Sequence, residues 1–206
     1  MKKIKNLFLF FILFTVYCSF FAFTSAETWE IVTSQILDNL KKEVQNQPYN
    51  ANAHFNLAIA YAKTAYVEKS WGEFKKVHDL VPKYYLQQVP YYHKKVQKNT
   101  SDINLRFKLC FAYYFSQRRK LAILEHEKIL LIEPKFIWSY IYLGSLLKED
   151  GQLNKSVEIL NKAIELDSTN ASAHFFLGQS YYSLKKFDDA VAEISLSMKL
   201  KKDNPF

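Results

Sequence analysis

Only 4 glycines and 5 prolines punctuate these 206 residues, too few for the frequent turns of an all-β protein, so helices are expected. The formal charge of +8 includes Lys2, Lys3 and Lys5; without them 25 basic residues face 20 acidic ones. The basic clusters, Arg118-Arg119-Lys120 and Lys199 with Lys201-Lys202, are short and read as solvated helix ends, so no nucleic-acid partner is expected. Of the two cysteines, Cys18 lies in the N-terminal apolar run and Cys110 in the body, so no disulfide is expected within the folded part.

Residues 1–26 read as an address. Three lysines open the chain, no charge appears from Asn6 to Ala26, and Glu27 begins ordinary composition. This is the pattern of a secretory signal, with Thr24 and Ala26 as the small cleavage pair. Because the run approaches the length that spans a bilayer, a retained anchor over residues 6–26 is the alternative. Either way the lysines are expected to stay cytoplasmic and the body to be extracytoplasmic: periplasmic, secreted or membrane-anchored. Bulky Tyr17 argues against a lipid on Cys18. Residues 27–50 follow as one N-terminal helix, with Pro48 marking its end.

The body then repeats itself. "ANAHFNLAIAY" at 51–61 returns as "ASAHFFLGQSY" at 171–181. Units of 34 residues fall into register at 51–84, 103–136, 137–170 and 171–204. One column reads Leu57, Leu109, Leu143, Leu177, and the next is always small: Ala58, Cys110, Gly144, Gly178. A second small column, Ser70, Ala122, Ser156, Ala190, precedes a bulkier one, Phe74, His126, Leu160, Ile194. Each half-unit has helical periodicity, and the small columns let two helices approach closely. Such pairs cannot bury an apolar face alone, so they are expected to stack. Between 84 and 103 stands half a unit, residues 85–102, read as one inserted helix with its first turn near Pro90.

Large–Leu–small–Tyr on one helix and small–aromatic–small–Pro on the next resembles the tetratricopeptide repeat family over residues 51–204. The resemblance implies an all-α, right-handed superhelical solenoid of antiparallel helix pairs. Residues 27–50 would then be a degenerate half repeat and residues 171–206 the fourth repeat with its tail. Arg106 and Tyr140 depart from the column of His54 and His174, and His126 replaces an aromatic residue.

No phosphate loop, nucleophile elbow or paired-cysteine metal motif is present, and adjacent helical residues such as Glu125, His126 and Glu127 diverge too far to share a metal. The expectation is a non-enzyme without cofactor. What the resemblance implies instead is binding of a protein or peptide on the concave surface of the first helices. The family's Lys/Asn/Arg carboxylate clamp is absent, its places being taken by residues such as Phe55, Ile59, Trp138 and Tyr142. At 100° per residue, apolar side chains point away from the packing columns. They nominate an aromatic groove of Phe55, Phe107, Phe111, Tyr114, Phe115, Trp138, Tyr142, Phe175, Phe176 and Tyr182, with Lys63, Lys108 and Lys148 nearby. The column of Phe55, Phe107, Ile141 and Phe175 admits a second reading, partial burial between units. On the last helix Val191, Ile194 and Met198 form a candidate association face, unless the tail ending in Pro205-Phe206 folds over it. The alternative functions are a structural envelope subunit assembling through that face, or an accessory subunit of an envelope enzyme.

Overall fold

The computed structural model describes residues 34–64 and 66–203. The expected export segment and the Pro205-Phe206 tail lie outside the described residues. Helix α1, residues 34–46, belongs to a unit ending at Pro48 and is described by itself; an Asp38–Lys41 ion pair of 3.0 Å lies along it. The second unit begins at Tyr49 and is helical throughout. Its elements are α2 (Ala51–Ala62), α3 (Val67–Leu80), α4 (Tyr84–Lys98), α5 (Ile103–Phe115), α6 (Arg119–Ile132), α7 (Ile137–Glu149), α8 (Leu153–Leu166), α9 (Ala171–Ser183) and α10 (Phe187–Asp203). Among the described residues there is no strand, and no helix is long and apolar enough to cross a membrane.

Four antiparallel pairs, α2–α3, α5–α6, α7–α8 and α9–α10, form an all-α solenoid, with α4 as the extra helix. The small columns work as their chemistry requires. A methyl on Gly144 would stand 2.4 Å from Leu160 Cγ, and one on Gly178 2.7 Å from Ile194 Cγ1, so these pairs close at the glycine. Where the second-helix column is serine, the hydroxyl donates to the first helix: Ser70 Oγ to Ala58 O at 2.9 Å and Ser156 Oγ to Gly144 O at 2.7 Å.

The column of His54, Arg106, Tyr140 and His174 is a polar stitch. His54 meets Glu73 at 2.5 Å, Arg106 meets Glu125 at 2.6 Å and His174 meets Glu193 at 2.6 Å, each partner 19 residues ahead on the second helix. The same side chains bind the carbonyl six residues back: Arg106 Nε donates to Thr100 O, Tyr140 OH to Pro134 O, and His174 Nε2 faces Ser168 O. In the third pair Ile159 stands where the carboxylate would be, and the tyrosine keeps only the loop bond. The departures in this column therefore preserve one function, fastening the inter-unit loop to the next first helix.

Turns within the pairs also repeat. Gln117, Gly151 and Lys185 have φ of 63°, 79° and 62°, and the following N–H returns to the carbonyl five residues back. This is the left-handed cap that closes many helices. Only one of the three is glycine, which is why composition undersells these turns.

The inserted helix differs from expectation. It starts at Tyr84, so Pro90 lies inside it rather than in its first turn. Proline there removes one backbone donor and frees the carbonyl of Leu86. Leu86 and Pro90 are both exposed, so that carbonyl faces water and the helix continues.

Candidate partner-binding surface

The first helices α2, α5, α7 and α9 are bridged by long polar side chains. Lys63 Nζ donates to Asn104 Oδ1 and Lys108 Nζ to Asn56 Oδ1, both at 2.8 Å, joining α2 to α5. Tyr114 OH donates to Glu149 at 3.2 Å between α5 and α7, and Lys148 donates to Gln179 between α7 and α9. Burial holds all three lysine ammoniums below their ordinary range; for Lys63 the charge of Lys108 adds to it. The lysines expected to line an open channel are thus spent on neutral amides of the neighbouring helix. The sequence signal was there in Asn56, Asn104 and Gln179, amide side chains on helices that are largely apolar.

The ten aromatic residues do not form one open groove. Phe55, Phe107, Phe111, Tyr142 and Phe176 are buried, Tyr114, Phe115 and Trp138 are half-buried, and only Phe175 and Tyr182 are exposed. Two kinds of packing cover them. Phe107 and Tyr142 close on His126, with ring centroids 5.8 and 6.2 Å away, in the ordinary joint between the second and third pairs. Phe111 and Phe115 are covered from the other side by Phe74 of α3, at 4.7 and 4.8 Å.

Helix α3 crosses the row instead of merely ending the first pair. Trp71 stands edge-on to Tyr114 and Phe115, at 5.7 and 5.5 Å. Val67, one turn earlier, packs on the cluster that holds Ile141, Phe176 and Leu177. Glu68 pairs with Lys201 of α10 at 2.7 Å. The clue missed in the sequence was Trp71, the bulkiest member of a column that otherwise reads Ile123, Val157 and Val191.

Beneath Trp71 lies a cavity of about 20 Å³, room for roughly one water, lined among others by Cys110, Phe111, His126, Tyr142, Ser145 and Glu149. Its titratable groups are suited to packing. Burial holds the His126 ring at about 3, so it is neutral, and its Nδ1 lies 3.2 Å from Ser139 Oγ. Burial pushes the Cys110 thiol well above its ordinary range, which leaves it protonated and unreactive. The cavity's carboxylate, Glu149, accepts from Tyr114 OH and pairs with Arg119. Among the described residues no group of three or more His, Cys, Asp or Glu could hold a metal ion.

At the last pair, Phe175 (41%), Tyr182 (65%), Phe187 (55%), Val191 (65%) and Met198 (69%) are exposed. Ile194 does not join that stripe: it is half-buried, drawn inward against Gly178. On the opposite layer a groove of about 760 Å³ runs between α6 and α8, floored by Tyr140, Leu143 and Leu147 and rimmed by charges of both signs.

Helix pairs that close at small residues, with a left-handed cap in three of their turns and a polar stitch to the inter-unit loop, agree with comparison against known proteins. Family models described as "TPR repeat" and "Tetratricopeptide repeat" match residues 144–185 and 171–204. Residues 144–204 carry tetratricopeptide repeats. The solved structure of YrrB, described as a TPR protein with an unusual peptide-binding site, matches with a TM-score of 0.54 and 15% identity over 80% of this chain and 93% of its own. One designated MamA MSR-1 C2 matches with a TM-score of 0.51 and 15% identity, over 84% of this chain and 98% of its own. Both show the fold alone. Among curated proteins, a UDP-N-acetylglucosamine–peptide N-acetylglucosaminyltransferase of Giardia intestinalis is 25% identical over 130 residues, 59% of this chain and 9% of that protein. Cell division cycle protein 27 homolog A of Arabidopsis thaliana is 28% identical over 104 residues, 48% of this chain and 14% of its own. The match thus spans a small part of either relative. It includes no demonstrated catalytic domain, and the repeats form a scaffold suited to protein–protein interaction.

Proposed function

We propose that this protein is an exported, non-catalytic scaffold that recruits a protein partner on its last helix pair. One observation carries the reading. Phe175 occupies the column of Phe55, Phe107 and Ile141, all three fully buried, yet it is 41% exposed, and Val191 and Met198 of the same pair are exposed as well. In a stacked array that column is where another helix lies, so the face is shaped to receive one. Exposed apolar groups gathered on one face are the usual mark of an interaction site. Export rests on the charge and hydropathy of residues 1–26.

The test is in-cell crosslinking of the tagged full-length protein, comparing wild type with Val191→Glu/Met198→Glu. The expected result is loss of the captured partners with the fold intact by circular dichroism. An unchanged captured set sinks the proposal. A mass that halves in light scattering on making the same change would mean that the face joins two copies, the reading of a self-assembling envelope subunit.

A further inference from the structure

We propose that the outer side of α6 rests on an anionic lipid surface, its leucines entering the headgroup boundary and its basic residues meeting the phosphates. The inference concerns a different surface from the last pair, and it holds on whichever side of a membrane the body lies.

The other three pairs supply the comparison. Counted from the small column of Ser70, Ala122, Ser156 and Ala190, three outward places carry leucine in α6 alone. Leu121 stands where the other pairs have Lys69, Lys155 and Asp189. Leu124 stands where they have Gly72, Glu158 and Ala192, and Leu131 where they have Asp79, Glu165 and Lys199. The stack asks for no apolar group at these places, since charged or small residues fill them elsewhere in the same array. The three leucines are 40%, 47% and 84% exposed. An exposed apolar row where the equivalent helices are polar marks a surface that something else covers.

Three features select lipid as the cover. The second helices form the outer layer of the solenoid's curve, the layer that a flat surface can touch. The row is also long and straight: Leu121 and Leu131 are separated by about 15 Å of helix, so α6 lies along such a surface. With 14 residues it is too short to cross one. Composition is the third feature. Protein interfaces draw their anchors from Trp, Tyr and Arg and under-use Leu, whereas helices lying in a membrane boundary combine leucine with lysine and arginine. Around this row Arg118, Lys120, Lys128 and Lys135 are exposed, against Glu127 and Glu133. Buried Glu125 is matched by buried Arg106, so Lys128, which also reaches it at 2.7 Å, keeps the face positive. Lysine stems are long enough to bring their ammonium groups to the headgroups while the leucines sit deeper. Helix α8, which exposes Lys155, Glu158, Lys162 and Glu165, has no such row and serves as the control.

The probe is vesicles of equal parts phosphatidylglycerol and phosphatidylcholine. They are mixed with the full-length chain carrying Cys18→Ser and Leu131→Cys, labelled at residue 131 with the environment-sensitive dye nitrobenzoxadiazole; Cys110 is buried and stays unlabelled. The expected result is emission that rises roughly threefold and shifts to the blue as the label leaves water. The same label on Glu165→Cys, the equivalent place on α8, keeps its aqueous spectrum. Both proteins carry the same N-terminal apolar run, so attachment through that run alone cannot separate them. An unchanged spectrum at 131, or an equal shift at 131 and 165, overturns the proposal. Adding Leu121→Lys/Leu124→Glu gives α6 the residues α8 has at those places, and should abolish the shift with the fold intact by circular dichroism. A shift that persists in this folded variant also overturns it. Should the variant fail to fold, the comparison of 131 with 165 decides by itself. A photo-crosslinker in place of Leu131 that captures a protein in cells, with the vesicle shift missing, overturns the lipid assignment and gives the face to a protein partner.

Discussion

The first and last helix pairs begin with nearly the same eleven residues and end in different circumstances. Asn50 and Asn170 cap α2 and α9 alike, each accepting from the second and third backbone N–H beyond it. The His–Glu stitch is repeated at the same spacing. Yet Phe55 is fully buried where Phe175 is 41% exposed, and Phe74 is 1% exposed where Ile194 is only half-buried. Local sequence sets the pair; the element laid against it sets burial. Tyr84, Tyr85 and Tyr92 of α4 close over Phe55, and among the described residues nothing comparable covers Phe175.

The sharpest way to break this comparison is to truncate the same column at both ends. Phe74 touches α2, α4 and α5, so Phe74→Ala should cost about 3–5 kcal/mol. Ile194→Ala, at a site open on one side, should cost roughly 1 kcal/mol. Urea unfolding of the two variants gives both numbers, and equal losses would mean the ends are equivalently packed.

The stitch offers a second, somewhat smaller contrast. The Arg106 and Glu125 side chains are 10% and 8% exposed, so Glu125→Ala strands a buried guanidinium and should cost about 3 kcal/mol. Glu193 is 24% exposed, and the His174 ring it leaves behind keeps its 3.0 Å contact with Ser168 O, so Glu193→Ala should cost about 1 kcal/mol. A Glu193→Ala loss as large as that of Glu125→Ala would show that the last pair is more enclosed than its side-chain exposure indicates.

The smallest effect lies in the same bulky column at His126, and it depends on pH. Burial holds the folded ring at about 3, while in the unfolded chain it titrates near 6.5. Between those values the unfolded state binds the extra proton. The stability conferred by the neutral ring is therefore complete above about pH 6.5 and drains away as pH falls toward 3. His126→Phe, which gives this position the residue found at Phe74, should make the drop in Tm between pH 7 and pH 5 shallower. An identical slope in both proteins would exclude His126 as its source.

Much of the architecture was legible because it is local. The Leu and small columns specify helix pairs whatever surrounds them, since a methyl at Gly144 would collide with its own pair's Leu160. The half-unit spacing likewise announced α4, though not that Pro90 would sit inside it. The groove was less legible for a physical reason: helical periodicity gives the direction of a side chain, not what lies in that direction. Phe111 and Tyr142 do point away from the Leu–Tyr columns, but Phe74 and His126 meet them there.

What the sequence determined by itself is the repeat: the register, the close contact at the small residues and the chemistry of each loop stitch, all made within about twenty residues. Only the tertiary structure decided which aromatic residues are buried. For Phe111 and Phe115 it is α3 lying across α5, for Phe55 it is α4, and contacts such as Glu68–Lys201 join residues far apart in the chain. In the first pair's own pattern Trp71 is the mark of the crossing; α4 packs on α5, and the apolar face of Val67, Trp71 and Phe74 finds cover farther along the chain.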